Sequence, residues 1–526
     1  MKKKILLYDT TLRDGGQAEG VAFSLPDKLR IAGRLDRIGI RYIEGGWPGS
    51  NPKDMAFFRE IRKYSLKQAR VVAFGSTRRV GVKVEKDANV ISLLKAGTPA
   101  IAVFGKSWLL HVTDVLRIAP RTNLAMISET VAYLKSKGKE LIYDAEHFYD
   151  GYKDDPEYAL AGLAAAARAG ADFLVLCDTN GGCLPEEISR ITEKVKNLFA
   201  APLGIHTHDD GGLATANSLA AVRAGAVMVQ GTINGYGERT GNANLCTIIP
   251  NLVLKMNLPA LSRARLRKLE DLSRFVDEMA NIPPNPRAPF VGQSAFAHKG
   301  GMHVDAVRKN PRTFEHIDPG AVGNRRRVLV SELSGKSNVI LKAVEFGVNL
   351  GKETPETARI LAELKRLGEE GYDFEGADAS FRILLQKAMG RHRDFFKLEG
   401  FRVIVEKRQD QPPVSEATVK IRVGEESELS AGEGDGPVNA LDNALRKVLL
   451  RFYPEIGDVH LADFKVRDLD ASAGTAAKVR VLVQSRDGRD IWGTVGVSQN
   501  IIEAAYQALV DSVDYKLLKG KGRGKG

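Results

Sequence analysis

The chain has 526 residues, 43% of them hydrophobic, and a formal net charge of +12. That length suggests two to four domains with sizeable cores, and no apolar run approaches the roughly 20 residues of a membrane span. The basic balance raises a nucleic-acid binder as one class, but no aromatic-rich basic motif accompanies it, so no nucleic-acid or membrane partner is expected.

In chain order, the start Met1-Lys2-Lys3-Lys4-Ile5-Leu6-Leu7-Tyr8-Asp9 is too short in apolar residues for a signal peptide and reads as a first strand. Strand candidates follow at 5–12, 41–45, 71–75, 100–105, 140–146, 173–178, 203–207 and 228–233. Between them, segments such as 26–38, 156–169, 185–199 and 213–224 carry the 3.6-residue periodicity of helices. Strands alternating with helices imply parallel βαβ units. Eight such units in about 250 residues predict a TIM (β/α)8 barrel, with an open doubly wound sheet as the alternative. Cys177, Cys183 and Cys246 are spaced neither as a zinc knuckle nor as a disulfide framework. A reduced, cytoplasmic enzyme is therefore expected, with Cys177 as core packing.

Beyond residue 251 the rhythm changes. Residues 260–280 read as helical, and the run Ile282-Pro283-Pro284-Asn285-Pro286-Arg287-Ala288-Pro289 reads as a hinge, because proline forbids a continuing helix. Residues 290–395 look mainly helical. From 401, two strand runs (401–407 and 417–423) and a third lead to a helix at 437–450. Strands near 461–467, 478–484 and 491–497 then lead to a helix at 499–513, so a three-strand-plus-helix unit looks duplicated. The expected domains are a catalytic barrel (1–275), mainly helical linker subdomains contributing to the active site (276–398), a smaller α+β regulatory and dimerisation domain (399–519), and a disordered basic tail (520–526).

Reacting groups of a TIM barrel sit at the C-terminal ends of its strands. Here those ends carry Asp9-Thr10-Thr11-Leu12-Arg13-Asp14-Gly15-Gly16-Gln17, Glu44, Asp144-Ala145-Glu146-His147, Asp178-Thr179-Asn180, His206-Thr207-His208-Asp209 and Gly235-Tyr236-Gly237-Glu238-Arg239-Thr240-Gly241-Asn242. Stability requires none of these, so their convergence implies a site. His206 and His208 are two apart on a strand and point the same way. Neutral imidazoles presented together suit a divalent transition metal, and Asp14 can add a hard oxygen ligand.

Three of these stretches (the one beginning at Asp9, His206-Thr207-His208, and the one ending at Asn242) resemble the signature of the 2-isopropylmalate, homocitrate and citramalate synthase family. The resemblance extends to Ala297-His298-Lys299-Gly300-Gly301-Met302-His303-Val304-Asp305-Ala306, similar to the family segment that lends a histidine to the active site. It also covers Gly434-Asp435-Gly436-Pro437-Val438-Asn439-Ala440-Leu441, similar to the start of a helix in the regulatory domain. It implies a divalent metal (Mn2+, Mg2+, Co2+ or Zn2+) on Asp14, His206, His208 and Asn242, with acetyl-CoA as co-substrate. Arg13 would stabilise the developing oxyanion and Thr179 would hold the acceptor's carboxylate. Glu146 and His303 are the two candidates for the general base; the resemblance aligns His303, not His298, with the family histidine. Two departures stand out. Phe314 occupies what aligns as a family tyrosine, and Asp144 lines the substrate pocket where some members carry another residue.

Within the family the chain most resembles the long citramalate synthases, through Tyr143-Asp144-Ala145-Glu146-His147-Phe148, Asp178-Thr179-Asn180-Gly181-Gly182 and Ser331-Glu332-Leu333-Ser334-Gly335-Lys336-Ser337-Asn338. That implies pyruvate as acceptor, (R)-citramalate as product, a place in isoleucine biosynthesis, a homodimer and feedback inhibition by isoleucine. Phe74 and Phe104 could fill the space that an isopropyl group needs, or point outward under helices. The alternative is 2-isopropylmalate synthesis from 2-oxoisovalerate, in leucine biosynthesis. A lyase or aldolase would share Arg13, Asp14 and the histidine pair but would have no reason to carry the duplicated C-terminal unit. Glycines Gly432, Gly434 and Gly436 are expected to let a small effector approach the backbone.

Overall fold

A computed structural model describes residues 4–330, 334–351, 353–470, 474, 476–488 and 490–521. Ser331, Glu332 and Leu333 of one stretch named above, and the end of the basic tail at 522–526, lie outside the described residues. The chain forms two compact units: Met1–Phe296 with His316–Arg325, and Ala297–Glu315 with Arg326–Gly526.

In the first unit eight parallel strands close into a barrel: β1 (Leu6–Asp9), β2 (Tyr42–Gly46), β3 (Arg70–Ser76), β4 (Ala100–Lys106), β5 (Glu140–Glu146), β6 (Phe173–Asp178), β7 (Leu203–Thr207) and β8 (Met228–Gly231). Closure is made by β1 against β8, from Leu6↔Met228 to Asp9↔Gly231. The open-sheet alternative is thereby excluded. β1 ends at Asp9 rather than 12. The Asp9 carboxylate accepts hydrogen bonds from the Thr11 backbone N–H at 3.0 Å and the Thr11 hydroxyl at 2.9 Å, and this local bonding turns the chain out of the sheet.

Because strand side chains alternate between faces, each strand serves two cores. Leu7, Ile43, Val71, Ile101, Leu141, Leu174, Leu176, Leu203, Ile205 and Val229 pack outward under the helices. Tyr8, Tyr42, Val72, Phe74, Ala102, Ile142, Val175, Cys177 and Met228 fill the barrel interior. The helices are delimited by local chemistry. Ser24 caps helix Leu25–Ile38 in a reciprocal bond with Asp27, and Gly39 ends it at φ 103°. The Asp155 side chain accepts from the backbone of Tyr158 to start helix Pro156–Arg168.

The second unit begins with two short parallel strands, β9 (Ala297–His298) and β10 (Arg327–Val328). Helices Gly301–Lys309, Lys336–Glu345, Pro355–Glu370 and Asp378–Ala388 lie in it. Two antiparallel sheets follow, β11 (Lys397–Glu406), β12 (Val414–Val423), β13 (Glu426–Gly434), and β14 (His460–Asp468), β15 (Val479–Arg486), β16 (Ile491–Ser498). Each is followed by a helix, Pro437–Phe452 and Ile501–Lys521. The glycines of β13 do not open a space for a ligand. A Cβ on Gly432 would lie 2.7 Å from Ala444 N, and one on Gly434 2.4 Å from Ala440 N, so the chain's own helix backbone fills that space. Gly496 of β16 makes the same close approach, its Cβ position 2.0 Å from Ala504 O. Only Gly436 of the three faces open space.

Asp36, 6% exposed, ties helix Leu25–Ile38 to the loop before β3 by accepting from the backbone N–H groups of Lys67, Gln68 and Ala69 at 3.0, 2.7 and 2.8 Å. Burial alone would raise its pKa, but the three amides hold it below the usual carboxylate value. A lowered folded-state pKa stabilises above the unfolded value of about 3.9, and that stability is lost as pH falls through the folded value. Asp36→Ala should therefore cost about 1–3 kcal/mol at pH 7. In urea unfolding followed at both pH 7 and pH 3, the deficit should shrink at the lower pH; an equal deficit at both would contradict the assignment.

Candidate active site

The alternation that builds the two cores also places the polar residues. On β7, Leu203 and Ile205 face the helices, so His206 and then His208 face the interior, 7% and 8% exposed. Val175 and Cys177 put Thr179 on the inner side beyond β6, and Ile142 does the same for Asp144 and Glu146 on β5. The result is one cavity of about 210 Å3 lined by Arg13, Asp14, Phe74, Phe104, Asp144, Glu146, Cys177, Thr179, His206 and His208, and also by Gln17, Trp47, Glu238 and Arg239. Phe74 and Phe104 thus point into the barrel mouth rather than under helices. Cys177 both packs in the interior core and borders the cavity.

Arg13 organises the floor. It pairs with Asp14, and its Nε donates to Glu44 Oε1 at 2.5 Å. Its guanidinium lies over Phe74, 3.7 Å from the ring centroid. Glu44 also accepts from the Tyr8 hydroxyl at 2.5 Å. Burial would raise the Asp14 pKa, but Arg13 holds it below the usual range. Burial raises Glu44 and pushes Asp144 well up, Asp144 with a further contribution from Glu44.

The His206 Nδ1 lies 2.8 Å from Gln230 Oε1, and the Gln230 amide Nε2 donates to Asp144 Oδ1 at 3.1 Å. An amide oxygen only accepts, so with the Gln230 oxygen toward the ring His206 carries its proton on Nδ1. Its Nε2 lone pair then faces His208 Nε2 at 3.3 Å and Asp14 Oδ2 at 3.8 Å. Burial lowers the pKa of His206, and burial with the neighbouring His206 pushes His208 down to about 3, so both rings are neutral near pH 7. Asn242 pairs with His208 through an isolated backbone bridge and is 2% exposed.

Among the described residues no three His, Cys, Asp or Glu side chains already enclose one point as a bound metal would require. The donor set nevertheless fits a divalent cation. Asp14 Oδ2 and Asn242 Oδ1 are buried without a hydrogen-bond partner, buried polar atoms are rarely left so, and the Nε2 atoms of His206 and His208 face each other 3.3 Å apart.

Glu146 stands at the cavity wall in an ion pair with Lys106, its register partner on β4. The Thr179 hydroxyl oxygen accepts from the His147 backbone N–H at 2.9 Å, which leaves its own proton free to donate. Arg239 binds Asp210 and the carbonyl of Thr179, tying three strand-end loops together. His303 belongs to the second unit. It is exposed on helix Gly301–Lys309, its ring stacked on Phe314 at 4.1 Å. Phe314 offers that ring a face but no hydrogen bond. His298, half-buried, has its Nε2 3.2 Å from Oε1 of buried Glu315.

The chain matches the HMGL-like family over residues 4–276, a homocitrate synthase post-HMGL domain-like family over 290–372, and the LeuA allosteric (dimerisation) domain family over 375–517. It is 56% identical over 518 residues to an (R)-citramalate synthase of Geobacter sulfurreducens, covering 98% of both chains. It is 54% identical to one of Aquifex aeolicus over the whole of both chains. The chain belongs to the (R)-citramalate synthase family. It is accordingly an enzyme. A probable 2-isopropylmalate synthase of Methanopyrus kandleri is 30% identical, over 98% of this chain and of that one.

Sequence reasoning missed Gln230, Lys106 and Trp47, and it named Arg239 among the strand-end residues without giving it a role. The period-2 pattern of β8 could have flagged Gln230, a polar residue on the same inward face as Met228. The tautomer it dictates can be checked by long-range 15N–1H correlation spectra of histidine-labelled enzyme. His206 should appear as the neutral Nδ1–H form at pH 6.5, and Gln230→Leu should release it into a tautomer mixture. An unchanged His206 in that variant would show that Gln230 does not set the ring.

Proposed function

We propose that the barrel-end cavity condenses the acetyl group of acetyl-CoA with pyruvate and water, giving (R)-citramalate and CoA. The observation that carries this reading is the convergence of Arg13, Asp14, Glu146, Thr179, His206 and His208 on one cavity narrowed by Phe74 and Phe104. The full-length relatives named (R)-citramalate synthase support it.

A divalent cation (Mn2+, Mg2+, Co2+ or Zn2+) held by Asp14, His206 and His208, with Asn242 beside them, would supply Lewis acidity toward the acceptor's carbonyl. Arg13, always protonated, stands ready for the negative charge that grows on that oxygen. The Thr179 hydroxyl donates to the acceptor's carboxylate, and Asp144 borders the same pocket. A methyl proton of acetyl-CoA passes to Glu146, which lines the cavity, or to His303, leaving the enolate carbon to form the new bond. Loss of the true base should stop exchange of the acetyl methyl protons with solvent, which separates Glu146→Gln from His303→Ala. Water then cleaves the thioester, and its hydrolysis makes condensation irreversible in practice.

The wider reading places the enzyme in isoleucine biosynthesis, as a homodimer formed through the region matching the dimerisation domain. Among the described residues no helix is long and apolar enough to cross a membrane. Cys177, Cys183 and Cys246 are free thiols, which supports work in a reducing cytoplasm.

Thiol release should be fastest with pyruvate, by at least about tenfold over 2-oxoisovalerate, a difference of only about 1.4 kcal/mol. The reverse order would establish 2-isopropylmalate synthesis instead. Chelator should inactivate the enzyme and Mn2+ restore it, whereas His206→Ala, His208→Ala and Asp14→Ala should stay inactive with the fold intact by circular dichroism. Full turnover in metal-free buffer would show the histidine pair to be structural. Isoleucine should inhibit at sub-millimolar levels and leucine much less. By linkage, bound substrate should weaken isoleucine's own binding in calorimetry; absence of both binding and inhibition would leave the C-terminal region with dimerisation alone.

A further inference from the structure

Three aromatic rings close one side of the barrel-end cavity. Phe74 and Phe104 stack with centroids 5.4 Å apart and planes at 19°. Trp47, just past β2, stands edge-on to both, 5.8 Å from Phe74 and 5.6 Å from Phe104. All three line the cavity with Arg13. The Arg13 guanidinium rests on Phe74, so this wall borders the group that meets the acceptor's carbonyl oxygen.

Trp47 differs from the two phenylalanines in having polar anchors. Its indole N–H donates to Asn89 Oδ1 at 2.6 Å. Its backbone N–H donates to Asp54 Oδ2 at 2.9 Å, and Asp54 is itself paired with buried Lys28. Asn89 is 5% exposed and fixed in turn. Its amide nitrogen donates to the Ser76 carbonyl at 2.7 Å, and its backbone N–H donates to the Asp87 carboxylate at 2.9 Å. Glycine at position 75 makes room for this brace, since a Cβ there would lie 2.8 Å from Asn89 Oδ1. To swing aside for a bulkier ligand, Trp47 would have to leave a buried amide oxygen without its donor. Neither phenyl ring carries such a restraint.

We infer that Trp47, held by Asn89, is a specificity-determining residue that limits the acceptor's substituent to about the size of a methyl group. The inference rests on the condensation proposed above and assigns its acceptor limit to one braced side chain. Trp47 would touch the substituent, and Asn89 is a positioning residue that acts through Trp47.

The test measures kcat/KM by thiol release for the full-length enzyme with pyruvate and with 2-oxobutyrate, which is longer by one methylene. Trp47→Leu should raise the 2-oxobutyrate to pyruvate ratio at least about tenfold, within the range one methylene commands in an apolar pocket. Asn89→Leu leaves every wall residue in place and frees the indole, together with the Ser76 carbonyl that Asn89 also binds, so it should raise the ratio about threefold, mainly through KM for 2-oxobutyrate. Asn89→Gln, which can still accept from the indole, should return it toward wild type. Should Trp47→Leu fail to fold, Trp47→Phe and the two Asn89 variants carry the test. If wild type turns over pyruvate but Trp47→Leu, Trp47→Phe and Asn89→Leu lower both substrates in equal proportion, the role of Trp47 is overturned. A wild-type enzyme idle with pyruvate would overturn the condensation reading itself, and this inference with it.

Discussion

Arg13 sits where three buried strand-end carboxylates meet. Asp14, Glu44 and Asp144 are 3%, 0% and 4% exposed, and burying such groups as ions costs several kcal/mol each unless they are paired. The guanidinium pairs directly with two of them and lowers the third by its field. Burial keeps Glu44 and Asp144 above their usual pKa all the same, so the balance of charge here favours one fixed cation facing the Asp14 carboxylate. The positions of Phe74, under the guanidinium, and of Asp14, beside the histidine pair, both follow from where Arg13 is held.

The same economy of contacts continues outward. Gln230 uses both ends of its amide, one to orient His206 and one to satisfy Asp144, so a single buried side chain on β8 links β5 to β7 across the barrel. Such outer partners fix the tautomer and direction of a candidate ligand. Trp47 is braced by Asn89 in a comparable way on the other side of the cavity. Gln230 and Trp47 are thus held by hydrogen bonds of their own before any substrate arrives, which favours orientation of two reacting molecules.

In the second unit, the duplicated sheets meet their helices through glycine. Gly432 and Gly434 on β13 and Gly496 on β16 each bring strand backbone against helix backbone, closer than any side chain would permit. These glycines serve packing within the unit. An effector, if the region binds one, must use other surfaces, of which the open side of Gly436 is one.

The barrel was legible in the sequence because the signals of its strands and helices are local. Short apolar runs and the 3.6-residue spacing of the helices between them gave all eight strands, within a residue or two except at the end of β1. The histidine pair and the strand-end acids were legible for the same reason, since parity alone decides which face they take. What sequence could not decide depends on distances between segments far apart in the chain. The choice of face for Phe74 and Phe104 is an example: each lies in an apolar run without clear alternation, and only barrel closure shows which side is the interior. Gln230, 24 residues from His206 and 86 from Asp144, carries no motif of its own. Lys106 meets Glu146 only because β4 and β5 align in that register. The glycines before residue 437 looked like a ligand approach in one dimension; in three, a helix backbone already occupies the space. Local pattern thus set the elements, and long-range packing set which face of β3 and β4 is the interior and which side chains share a hydrogen bond.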